Sequence, residues 1–162
     1  MADSMAYRIF TLIGNAGLLA ALIFGTAGVN AATVRIDDSG TVVGQTAVPM
    51  QWTRPVARSG ANHSIEGSVR VALRLNLTSW VNQPVRLYMA LAPVVGQPIF
   101  ISWRTQGNLL PGNLRSGERA LIFNGVASAA FLVETIELAI KTDGRGLLAS
   151  QGLQFYFEID TP

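Results

Sequence analysis

The 162-residue chain contains no cysteine. That excludes a disulfide framework, a thiolate metal site and a cysteine nucleophile together. Histidine is nearly missing as well: His63 is the one imidazole, so no multi-histidine metal set can form. Lysine occurs once, at Lys141, against eleven arginines and ten carboxylates, giving a formal net charge of +2. The arginines stand singly (Arg35, Arg54, Arg70, Arg74, Arg86, Arg104, Arg119) rather than in a basic tract, so no nucleic-acid partner is expected. Charged residues make up only 14% of the chain and hydrophobic ones 49%. That balance suits one packed core and argues against disorder.

Only one long hydrophobic run is present, and it opens the sequence. Arg8 precedes a mostly apolar stretch from Ile9 to about Ala27, followed by "GVNA". Val29 and Ala31 occupy the places three and one before a cleavage point, so residues 1–31 are expected to be a signal peptide removed after Ala31. Met5 is an alternative start, giving "MAYR" as the charged head. A retained anchor is the competing reading, since the run approaches spanning length. Asn15, the glycines and the small-residue site favour cleavage, and export through the periplasm to the cell surface follows as an expectation.

Beyond Ala32 the main signal is alternation. In "SVRVALRLNLT" Val69, Val71, Leu73, Leu75 and Leu77 share one face while Arg70, Arg74 and Asn76 share the other. A period of two over that length means strand, because a helix needs apolar residues three and four apart. "PVRLYMALA" repeats it with Val85, Leu87, Met89 and Leu91, and the two runs read as neighbouring antiparallel strands joined through "SWVNQ". "PIFISWR", "RALIFNG" and "AAFLVETIELAIK" are further strand candidates. A helix is the rival reading of the last, whose residues Ala129 to Ile140 include several helix formers; its β-branched residues and the Gly-rich joints around it favour strand. In the last, Phe131, Val133 and Thr135 are out of phase with Ile136, Leu138 and Ile140, which predicts a bulge or change of face near Glu134. "TDGRG" offers turn chemistry before a closing strand whose Leu153, Phe155, Phe157 and Ile159 share one face. Stretches 54–64, 92–98 and 105–118 read as loops rich in Gly, Pro, Asn and Ser. Seven or eight short strands without clear helices predict an all-β, immunoglobulin-like antiparallel sandwich in one domain.

Reactive constellations are sparse, and no enzyme activity is expected. His63 lies beside Ser64 and Glu66, but catalytic triads assemble in space and carry no such local signature. "RIDDSGTV" places Asp37 and Asp38 before Gly40, yet it is too short for a calcium loop and reads as a turn. Glu134 and Glu137 fall on opposite faces of one strand, and Glu158 with Asp160 lie on the solvated face of the last. No metal or cofactor is expected, and the glycine pairs match no phosphate-cradling loop. Trp52, Trp80 and Trp103 sit at strand ends or joints and read as core or rim packing. "NHS" at Asn62 and "NLT" at Asn76 match the glycosylation triplet.

The closing strand leaves a heavily apolar edge region that must be covered, and the segment just after Ala31 alternates locally at Ala32, Val34 and Ile36, then at Val48, Met50 and Trp52. A strand lent by another molecule would supply both main-chain bonds and side-chain plugs. This arrangement resembles the pilin subunits of chaperone–usher fimbriae. "AVPMQWTRPV" is similar to the Trp-containing opening of CS5-type fimbrial subunits, which also lack cysteine, and "ETIELAIKTDG" with "GLQFYFEID" is similar to their closing half. Unlike many type 1 fimbrial subunits, the chain has no disulfide, and Gly152 with Tyr156 match their closing motif loosely.

The resemblance implies an incomplete sandwich completed by a donated strand. Residues 32–50 would be an N-terminal extension carrying Val34, Ile36, Val42, Val48 and Met50 as donor side chains. Residues 51–162 would be the sandwich, with Leu153, Phe155, Phe157 and Ile159 bordering the acceptor groove. Implied partners are a periplasmic chaperone, an outer-membrane usher, other pilus subunits and a host receptor for adhesion. The alternative is a self-contained exported sandwich that binds a sugar or protein ligand.

Overall fold

The structure is a computed structural model that describes residues 32–45, 47–53, 63–146 and 153–161. The expected signal peptide, residues 1–31, lies outside the described residues, as do Asn62 and the loop 54–62. Among the described residues ten strands follow in chain order: β1 Thr33–Arg35, β2 Val42–Val43, β3 Gln51–Trp52, β4 Ser64–Asn76, β5 Pro84–Leu91, β6 Phe100–Thr105, β7 Gly112–Arg115, β8 Arg119–Val126, β9 Phe131–Asp143 and β10 Phe155–Asp160. All pairings are antiparallel. One sheet runs β1-β10-β5-β8 and the other β2-β4-β9-β6-β7, with β3 also on β4. Among the described residues no helix is long and apolar enough to cross a membrane.

Alternation explains the layering. Val69, Val71, Leu73 and Leu75 of β4 meet Leu87 and Met89 of β5, Trp103 of β6, Ile136 and Leu138 of β9, and Phe157 and Ile159 of β10 in one buried cluster. Each strand spends every second side chain on that shared interior, as face-to-face sheets require. The expected all-β sandwich is therefore present.

Three local expectations need correction. β4 and β5 are not hydrogen-bonded neighbours; they belong to different sheets. Between them a short 3-10 turn, Thr78–Trp80, and Asn82 at φ 62° carry the chain across the sandwich. Both strands bury one apolar face, and pattern alone does not distinguish facing from flanking. β9 has no bulge: it pairs with β4 without a break from Phe131↔Asn76 to Asp143↔Ser64. Phe131 and Val133 simply face outward at 39% and 66% exposure, while Glu134 continues the inward phase. The bulge lies in β8 instead, where the register slips opposite Leu87 and Tyr88 and the extra residue, Ile122, is buried. Finally, the loop expected at 105–118 contains β7, too short and polar to show a period.

Candidate functional site

Residues 33–45 and 47–53 form a strap along one side of the sandwich. β1 lies on the outer edge of β10, with Thr33 opposite Asp160, Val34 opposite Ile159 and Arg35 opposite Glu158. Ile36 then donates its N–H to the Phe157 carbonyl at 2.9 Å and buries its side chain in the core. The expected turn follows: Ser39 N–H bonds the Asp37 carboxylate and Thr41 N–H bonds the Asp38 carbonyl. That Asx turn holds Asp37 below the usual carboxylate range, chiefly through the Ser39 amide. The chain then crosses to the second sheet. Asn76 N–H reaches the Asp37 carbonyl, Val42–Val43 pair with Ala72–Val71, and Gly44 N–H reaches the Arg70 carbonyl. Gln51–Trp52 pair with Glu66–Ile65. One strap thus covers an edge of each sheet.

The sequence-expected donor residues do not share one face. Ile36 is buried, Val34 and Val42 are exposed at 44% and 63%, and Val48 and Met50 are half-buried against the core. Val48 and Met50 reach it over Gly67, where a methyl group would stand 2.7 Å from the Met50 sulfur, so only glycine leaves them room. The acceptor residues are brought together more fully. Phe157 and Ile159 are wholly buried and Phe155 is half-buried, its ring edge-on to Phe157 at 6.0 Å. Leu153 precedes β10 and packs at the margin of the core. In this chain the edge of β10 is occupied by the chain's own β1.

A polar clamp fixes β1. Thr33 Oγ1 donates to Asp160 at 2.6 Å, and Arg119 reaches Asp160 and Glu158 from β8 at 3.1 Å each. The Thr33 hydroxyl foremost, and then Arg119, hold Asp160 below its ordinary value against some opposing desolvation. The same carboxylates hold the Arg119 guanidinium above its own ordinary value, Asp160 foremost.

Elsewhere the polar groups serve the scaffold. Glu134 accepts from Asn108 N–H at 2.5 Å, Leu109 N–H at 3.3 Å and the Thr105 hydroxyl at 3.2 Å, gathering the β6–β7 loop onto β9. Sequence reading missed that role, because no local signal ties Glu134 to a loop 26 residues away. Glu66 pairs with Lys141 at 2.9 Å instead of serving His63 and Ser64. His63 accepts the Gly144 N–H through its carbonyl. Asp143, gripped by Arg145 side chain and amide, falls to about 2. Among the described residues no group of three His, Asp or Glu side chains is placed to hold a metal ion. Trp103 is core, its Nε1–H on the Leu110 carbonyl at 2.8 Å, and Trp80 packs against the core. Trp52 is 56% exposed, its ring edge seated over Gly144. The Asn76 side chain of the second glycosylation triplet accepts from the Thr78 amide and hydroxyl.

No family model and no curated protein matches the chain. Among solved structures, TmCBM61 in complex with β-1,4-galactotriose aligns over 82% of this chain and 86% of its own, at 11% identity and a TM-score of 0.23. Overlap that loose carries nothing about ligand or activity.

Proposed function

We propose that the chain is a structural subunit of a surface fimbria, assembled by strand exchange with a chaperone, an usher and further copies, and contributing to adhesion. It acts without catalysis and reaches the cell surface by export. The observation that carries this reading is the thinness of the cover on β10. The edge beside fully buried Phe157 and Ile159 is closed by a three-residue strand whose own side chains are exposed, with Ile36 as its one buried plug. Burying one isoleucine contributes about 1.5 to 3 kcal/mol. A longer segment from another molecule, adding main-chain bonds and more plugs, can displace so light a cover. Exchange of an identical element between copies restores the same bonds in trans at low net cost.

The test removes residues 32–48 and follows polymerisation with chaperone and usher present. Loss of fibres is expected, and undiminished fibre formation would overturn the donor role. A second reading, a self-contained exported sandwich that binds a sugar or protein ligand, is favoured by β1 closing β10 within one chain. It expects the processed chain alone to stay monomeric over a wide concentration range and not to exchange labelled strap segments between copies.

A further inference from the structure

Most described arginines have a visible occupation. Arg35 lies over Tyr156, Arg74 over Phe131, Arg115 over Phe100 and Arg119 over Tyr88, with guanidinium-to-ring distances of 4.8, 3.9, 5.8 and 4.3 Å. Arg119 and Arg145 also hold carboxylates, and Arg86 stands opposite Asp160 and favours its ionised form. Among the described residues two remain, Arg70 and Arg104, with no ring, carboxylate or carbonyl engaging either guanidinium. Both line the same cleft, of about 680 Å³, on the outer face of the larger sheet.

Register places them together. Arg70 of β4 and Arg104 of β6 stand opposite Glu137 of β9, from its two sides. Two rows along the same strands, Glu66 and Lys141 close an ion pair at 2.9 Å from equivalent cross-strand positions. The Arg70–Glu137–Arg104 row closes none. Two planar forks offer ten N–H donors against one intervening carboxylate, an excess suited to a ligand rich in anionic oxygen. The other carboxylate of the cleft, Glu134, is already taken by the loop amides. Gln106 and Thr135 supply amide and hydroxyl edges around the arginines, while the Thr105 hydroxyl is spent on Glu134 and the Gly107 amide.

We propose that this cleft binds an acidic saccharide, its carboxylate clamped between Arg70 and Arg104 and its hydroxyls met by Gln106 and Thr135. The volume falls within the range of small-ligand sites. An acidic peptide is the weaker fit, because the row lies in mid-sheet, where main-chain groups are paired and no strand can be added. The inference does not depend on strand exchange, since the residues belong to the sheet that does not contain β10.

The test titrates the purified processed chain, by calorimetry, with trigalacturonide, its carboxyl-reduced neutral counterpart, sialyllactose and a glutamate-rich peptide. At least one acidic sugar is expected to bind about tenfold more tightly than the neutral trisaccharide, and to weaken as salt rises. Arg70→Gln with Arg104→Gln should reduce that affinity about tenfold or more. Glu137→Gln, which removes the repelling charge, should raise it about threefold. The opposite signs of these two variants separate recognition from misfolding. The proposal is overturned if neither acidic sugar binds at millimolar concentration, if the neutral sugar or the peptide binds as well, if the double variant keeps full affinity, or if Glu137→Gln weakens binding.

Discussion

At the scale of single residues, Trp103 shows how closely the interior is fitted. It is buried, its indole N–H is spent on the Leu110 carbonyl, and its ring lies against Gly112, where an added methyl would stand 2.6 Å away. Trp103→Phe is expected to cost about 1 to 3 kcal/mol by stranding that carbonyl, and Gly112→Ala a similar amount by overpacking, both read from urea midpoints. Asp160 gives an acid-side signature. Its folded pKa is lowered, so its contribution is fully present above the unfolded value near 4 and is lost as pH falls through the folded one. Asp160→Asn should therefore flatten the decline of stability below about pH 4, measured as melting temperature against pH. Asp143 acts in the same sense, its share disappearing as pH falls from the ordinary aspartate value near 4 to about 2. None of these partnerships was legible beforehand. Arg119 and Asp160 are 41 residues apart, and the alternation that identified Asp160 as outward carries no information on what faces it.

At the scale of elements, alternation was the reliable guide wherever a strand had one wet face. The inward sets of β4 and β5 and the Phe157–Ile159 pair of β10 follow directly from period two. It misled at β9, where Phe131 and Val133 are apolar yet outward; Arg74 shelters the Phe131 ring. In the strap it was only partly informative: of the alternating Val34 and Ile36 only Ile36 is buried, while Val48 and Met50 are half-buried against the core. Ile36→Asp should leave the rest of the sandwich intact but free β1 from β10, seen as faster hydrogen exchange at Ile36 and raised binding of a hydrophobic dye. Glu134→Gln should speed exchange at Asn108 and Leu109 at least severalfold, since each amide would lose a charged acceptor.

At the scale of the whole molecule, the sandwich was readable from composition and period, but its connectivity was not. Which sheet receives β5, or which strand receives β1, depends on turn geometry such as the left-handed Asn82 and on contacts far apart in sequence. The fimbrial reading makes a prediction at this scale. Two differently labelled populations of the processed chain, mixed at high concentration, should trade strap segments and yield hetero-oligomers by mass spectrometry. Persistence of pure monomers in each colour would favour the self-contained module.

The meeting of β1 with β10 also has a kinetic consequence. Thr33 and Asp160, joined by a hydrogen bond, are separated by 127 residues, so β1 and β10 can meet only after all the residues between them have been synthesised. Closing so large a loop is slow in proportion to its entropy, and few local contacts speed it. Until that loop closes, the flank of β10 that β1 covers in the folded chain is open to another strand. Whatever arrives then competes with residue 33 on timing as much as on affinity.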